Sequence, residues 1–206
     1  MKKTILYFAV AVILVALSLY LDDPVRNLVF SYRPDWLVKT ARWASKYGDW
    51  IFLMLGCLPF LVAAIRCGND NARRLILTMM IVSSLAGLSA DIVRAATGRA
   101  RPNSKIAPGW YGVWHESHWL IIDTRYNSFP SGHTAAAMGL VAPLLLLRRR
   151  SGWMLLPLAV VISASRLELD AHHFSDVLAS TLLAFGVALW WMRHGHLLLP
   201  EKIRVC

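Results

Sequence analysis

Leu75 to Val93, LILTMMIVSSLAGLSADIV, is 19 residues long and carries one charge, Asp91, near its end. As a helix it rises about 28 Å, close to the roughly 30 Å of a bilayer's hydrocarbon, so it reads as a membrane span. On either side lie further apolar runs: Ile5 to Leu21, Trp50 to Ile65, Thr134 to Leu147, Trp153 to Ala164 and Val177 to Met192. Those at Thr134 and Trp153 have only 14 and 12 residues, short of the roughly 20 a crossing needs, unless polar residues at their outer ends belong to the same helices. The chain is 57% hydrophobic over 206 residues, above the roughly 45–50% of soluble domains. The pattern predicts an all-α polytopic membrane protein, a six-transmembrane-helix bundle forming a single membrane domain over residues 1–206.

The net charge is +10, yet Lys and Arg fall in short clusters between apolar runs, with no continuous basic face. That argues against nucleic acid and for the bilayer and an anionic phosphate lipid as partners. Cytoplasmic loops carry the excess of Lys and Arg. Lys2 and Lys3, then Arg66, Arg73 and Arg74, then Arg148 to Arg150, then Arg193, Lys202 and Arg204 all fall on one side of a six-span layout. Both termini are therefore expected in the cytoplasm. The first run fits an uncleaved helix, being longer than a signal core, although Lys2, Lys3, Ala16 and Ser18 also suit a cleavable leader. Cys57, Cys67 and Cys206 have no metal-ligand spacing, so neither a disulfide nor a metal is expected.

Asp23 and Pro24 look like a helix cap and a first-turn proline. From there to Asp49, Leu28, Phe30, Trp36 and Trp43 alternate with Arg26, Arg33, Lys39 and Arg42, as in an interfacial amphipathic segment; it reads as a membrane-surface collar or a substrate gate. Trp110, Tyr111, Trp114 and Trp119 place the loop from Asn103 to Phe129 at the interface. His115 and His118 could share one face of a short helix, with no further ligands nearby.

Three polar clusters interrupt the apolar pattern at the outer ends of spans: Arg94 with Arg101-Pro102, then Pro130-Ser131-Gly132-His133, then Ser165-Arg166 with His172 and Asp176. Arg94, Arg101 and Arg166 are charged forks suited to phosphate oxygens and costly near hydrocarbon without an anion. Gly132 opens a helix whose N–H groups and positive end favour the same anion. His172 and Asp176, four apart, would share a helix face. The carboxylate would then set the imidazole tautomer and free the other nitrogen to attack phosphorus. His133 could protonate the departing oxygen. Asp91 is expected to pair with Arg94 inside the bundle, Glu168 and Asp170 to be ion-pair partners or solvated charges, and His173 to be structural.

These clusters, from Arg94 to Asp176, resemble the three-part signature of the type-2 phosphatidic acid phosphatase superfamily, the lipid phosphate phosphatases, in its bacterial membrane branch. The family pattern is Lys, six residues, Arg-Pro; Pro-Ser-Gly-His; and Ser-Arg, five residues, His, three residues, Asp. Only Arg94, standing for Lys, departs from it. The resemblance implies a cofactor-free, metal-independent mechanism. In it His172 forms a phosphohistidine, Asp176 orients it, His133 acts as acid and then activates water, and Arg94, Arg101, Arg166 and Ser131 hold phosphate. It implies a bacterial inner-membrane enzyme with a periplasmic site, acting on a lipid such as undecaprenyl diphosphate, phosphatidylglycerophosphate, phosphatidic acid or lipid A. A lipid phosphotransferase using the same histidine, or a non-catalytic anionic-lipid binding or transport protein, are the rival readings. A soluble vanadate haloperoxidase, also related, is at odds with the apolar spans.

Overall fold

The computed structural model describes residues 2–195, and side chains from residue 5 onward. Lys202, Arg204 and Cys206, and the Lys2 and Lys3 side chains, lie outside what is described, and with them part of the charge reading. Eight α-helices follow in order: α1 Lys2–Leu19, α2 Asp22–Ser31, α3 Asp35–Tyr47, α4 Trp50–Arg66, α5 Asp70–Thr97, α6 Gly132–Leu146, α7 Arg150–Glu168 and α8 Phe174–His194. Between α5 and α6 a two-stranded antiparallel ribbon pairs β1 (Trp114–His115) with β2 (His118–Trp119). His115 and His118 are thus cross-strand neighbours rather than members of a helix.

The core is α6, which packs against α5, α7 and α8. Every residue from Thr134 to Leu144 is buried, and Ala135, Ala136, Ala137, Gly139 and Ala142 make it narrow enough for its neighbours to come close. A Cβ on Gly139 would lie 2.9 Å from the Ser83 Cα and 3.1 Å from the Val82 carbonyl oxygen. In the same contact the Ser83 hydroxyl donates to the Ala136 carbonyl at 2.8 Å. Leucine at 139 should therefore separate α5 from α6 and cost about 1–3 kcal/mol, the range for overpacking. Its thermal midpoint in detergent should fall; an unchanged midpoint would refute the close contact.

Large apolar side chains left exposed, such as Ile5, Phe8, Ile13, Phe60, Ile92, Trp153 and Met154, suit a bilayer as solvent. Among the described residues, only α5 and α8 are long and apolar enough by themselves to cross a membrane. The count rises to four when α1 with α2, bent by 56°, and α3 with α4, bent by 66°, are each taken as one span. α6 is apolar but has 15 residues, and α7 brings Arg150, Arg166 and Glu168 into its 19. The six crossings read from hydropathy exceed this count because the shorter runs needed polar ends to reach spanning length. An apolar cavity of about 970 Å³ opens between α1, α5 and α8.

The expected cap at Asp23 and Pro24 lies inside a helix instead. α2 begins at Asp22 after Leu21, and Asp22 is buried, turned toward the start of α8. The collar helices α2 and α3 are tied to the α7–α8 turn. Arg26 forks onto Asp170 with bonds of 2.8 and 2.7 Å, and Arg33 reaches Glu168 at 3.0 Å and its carbonyl at 2.7 Å. Glu168 and Asp170 are ion-pair partners, and the collar is anchored next to His172.

Candidate active site

The end of α5, the start of α6 and the α7–α8 turn meet at one end of the bundle. α5 is 28 residues long, about 42 Å, so its last turns pass beyond a hydrocarbon slab. Gly98 stops it with a left-handed φ of +56°, and a Cβ there would sit 2.0 Å from the Gly112 carbonyl oxygen. This sharp exit carries the chain through Arg99 and Arg101. Arg94 lies against the start of α6: a Cβ on Gly132 would come within 3.3 Å of its Nη1, so glycine leaves room for the guanidinium. Arg94 also pairs with Asp91. The pair is as expected, but Asp91 is on the exposed side rather than inside the bundle.

Arg101 is turned inward. Burial first, and then the positive charge of Arg94, push its guanidinium below the usual value, with Asp176 pulling the other way. Arg166, buried near the end of α7, bonds through Nη1 to the Ser45 hydroxyl, while its Nε is buried with no partner. A buried N–H on a permanent cation that no described residue satisfies suits an anion's oxygen. His133, at the first turn of α6, stands with Nε2 3.7 Å from Asp49 Oδ2 and within electrostatic reach of Arg166, Arg94 and His172. Ser131 is fully buried and caps α6, its hydroxyl accepting from Thr134 and its N–H donating to the Asp176 carbonyl at 3.3 Å. It holds the turn rather than facing outward with the arginines.

His172 and Asp176 are adjacent, but not as two residues on one helix face. α8 starts at Phe174, and His172 precedes its cap residue, His173. His172 Nδ1 is 2.7 Å from the Ser128 carbonyl oxygen and 3.6 Å from Asp176 Oδ2. A carbonyl only accepts, so Nδ1 carries the proton and Nε2 keeps its lone pair. Asp176 reaches the imidazole through Ser128, whose hydroxyl donates to Oδ2. The carboxylate is also held by the His173 N–H at 2.7 Å and by Arg99. Ser128, Asp22, Asp49 and Ser45 are not legible in the sequence because single Ser and Asp residues in loops and near helix ends are commonplace and carry no spacing signal. Among the residues read as structural, His173 is one: its ring caps α8 and lies 3.3 Å from the Ala100 carbonyl.

Burial pushes the His172 pKa down to about 4; Asp176 pulls it up, and Arg166 and Arg101 press it down. In an unfolded chain the imidazole takes its proton near pH 6.5, roughly. Above that pH both states are neutral and the group has no effect. As pH falls from about 6.5 towards 4 the unfolded chain gains a proton that the folded one refuses, so stability drops. His172→Gln should flatten the fall of the thermal midpoint across that window, and a variant with the parental slope would contradict this account.

One half-buried and one buried histidine, a buried carboxylate and three arginines within electrostatic reach of one another thus gather at one end of a bundle of apolar helices. The chain belongs to the PAP2 superfamily, whose family model matches residues 72–197. It is 27% identical over 186 residues to the lipid A 1-phosphatase of Rhizobium etli, covering 84% of this chain and 75% of that one. It is 33% identical over 88 residues to the undecaprenyl-diphosphatase BcrC of Bacillus subtilis, covering 43% of this chain and 46% of that one, so it spans less than half of that relative. The fold matches the transmembrane PAP2-type phosphatidylglycerolphosphate phosphatase of Bacillus subtilis at a TM-score of 0.60 and 22% identity, covering 92% of this chain and 94% of that one. It also matches Aquifex aeolicus LpxE at 0.58 and 20% identity, covering 84% and 96%.

Proposed function

We propose that this chain is an integral-membrane lipid phosphate phosphatase that cleaves a phosphate monoester or diphosphate through a phosphohistidine at His172. The observation that carries the reading is the unpartnered Nε of buried Arg166 beside a histidine whose Nδ1 proton is already committed. Nε2 of His172 attacks phosphorus while Arg94, Arg101 and Arg166 bind the phosphoryl oxygens and the α6 N-terminus adds its positive end. The bond from phosphorus to the lipid oxygen breaks, and that oxygen takes a proton from His133. His133, now neutral, takes a proton from water, the water oxygen attacks phosphorus, and the P–N bond breaks to release phosphate. The residues named, the α6 N-terminus and one water supply every charge and proton these steps use, and we read the reaction as metal-independent.

Six crossings, with the short α6 and α7 completed by their polar ends, would place this site at the periplasmic face of a bacterial inner membrane with both termini in the cytoplasm. The names of the relatives, an undecaprenyl-diphosphatase and a lipid A 1-phosphatase, point to a lipid with a diphosphate or 1-phosphate head. The test is phosphate release by purified protein from undecaprenyl diphosphate, lipid A, phosphatidylglycerophosphate and phosphatidic acid in EDTA. Release that survives the chelator and discriminates among these lipids is expected. Loss of release in EDTA, restored by a divalent cation, would sink the metal-independent mechanism; phosphate appearing on an alcohol acceptor instead of in water would make the chain a transferase.

A further inference from the structure

We propose that Asp22 and Arg99 are positioning residues, a buried strut that joins the start of α2 to Asp176 and fixes, through Ser128, the His172 imidazole. The proposal rests on the phosphohistidine reading above. Arg99 stands between Arg94 and Arg101 in the sequence and by composition belongs with the phosphate-binding cations. Its geometry is different. The side chain is 8% exposed, and its guanidinium lies over the Trp110 ring at 4.7 Å. Nη2 donates to Asp22 Oδ2 at 2.6 Å, and Nη1 donates to the Ser175 hydroxyl at 2.7 Å and to Asp176 Oδ1. Asp22 accepts from the Ser175 N–H and hydroxyl, both at 2.8 Å. Both terminal nitrogens of the fork are therefore engaged inside the protein, on carboxylates from two different helices.

The arrangement divides the work at Asp176. Arg99 holds Oδ1, while Ser128 and the His173 N–H hold Oδ2. Ser128 is fully buried, its N–H donates to the Arg99 carbonyl at 3.0 Å, and its own carbonyl accepts the hydrogen bond from His172 Nδ1–H. A displaced Arg99 would thus move the imidazole by two routes, through the carboxylate and through the Ser128 backbone. Asp22 matters because it holds the far side of the fork; without its charge, nothing on α2 balances the pull of Asp176. Buried fork-to-carboxylate geometry is what arginine does better than lysine, so Arg99→Lys should fail to substitute.

The experiment compares Asp22→Asn, Arg99→Lys and their double variant, with Asn27→Ala on the exposed side of α2 as control. Each is assayed for kcat, KM and inhibition by inorganic phosphate, and His172 is followed by nitrogen NMR in histidine-labelled protein. The strut predicts that kcat falls about 10- to 100-fold in each single variant, the scale known for outer partners of metal-bound histidines. KM and phosphate inhibition should hold within about threefold, and the double variant should be no worse than the poorer single one, because both act through one chain of contacts. The His172 nitrogen signals should shift in both variants, and Asn27→Ala should stay within about twofold of the parent, as an exposed surface substitution has little effect. Unchanged kcat together with unmoved His172 signals would overturn the strut. Weaker phosphate inhibition in Arg99→Lys would overturn it in favour of direct phosphate binding. Should the parent chain release no phosphate from any lipid, the phosphatase reading fails by itself, and the His172 signals still decide for or against the strut.

Discussion

Phosphate release should fall by about 10⁴-fold or more in His172→Ala, because removing a nucleophile leaves only binding and charge stabilisation to act on the substrate. The fold should survive. The His172 ring is held by one hydrogen bond to Ser128, its burial favours the neutral form, and its own backbone N–H, donating to the Arg166 carbonyl at 3.3 Å, is untouched by the substitution. A folded, inactive variant would still unfold cooperatively above pH 6.5, roughly, with its thermal midpoint lowered only by the cavity and the unpaired Ser128 carbonyl the ring leaves behind. Quenching the parent chain with radiolabelled lipid phosphate should trap acid-labile label on the protein, and the variant should trap none. Label retained by the variant would move the nucleophile elsewhere.

Asp176→Asn should lower kcat by about 10²–10³-fold, the usual effect of losing one preorganised charge partner in a buried site. The reason differs from the one the spacing of the two residues suggests. The Nδ1 proton is fixed by the Ser128 carbonyl, which the substitution leaves in place, so the tautomer should persist. What is lost is the negative charge beside an imidazole that becomes cationic on accepting phosphorus, and the counter-charge of Arg99. Arg99 keeps Asp22 but loses one of its two buried carboxylates, so the thermal midpoint should also drop. Activity equal to the parent's would remove Asp176 from the mechanism, and an unchanged midpoint would remove its pairing with Arg99.

The sequence is most legible where chemistry and hydropathy coincide. Arg94, Arg101, Arg166, His133, His172 and Asp176 all stand at the ends of apolar runs, where a polar side chain needs a reason, and those runs account for α1 and for α4 to α8. Ser131 and Gly132 were seen as a pair, yet only Gly132 lies against an arginine, while Ser131 is folded into the helix cap. That difference depends on which way a side chain turns, which spacing does not encode. Arg99 carries the same charge as its neighbours, and only the position of Asp22, 77 residues away, separates its role from theirs. The helix boundary between His172 and Phe174 was missed for a related reason: a spacing of four fits a helix and a turn that leads into one equally well.

The pairs Arg26–Asp170 and Arg33–Glu168 join α2 and its link to α3 to the two acids that precede His172. The turn that carries His172 is thereby moored to α2 as well as to the bundle. An amphiphile that displaced α2 and α3 would loosen that mooring while the α5–α6 core stayed intact. Well-folded preparations could then differ in turnover according to the amphiphile around them, and return to lipid would restore the difference.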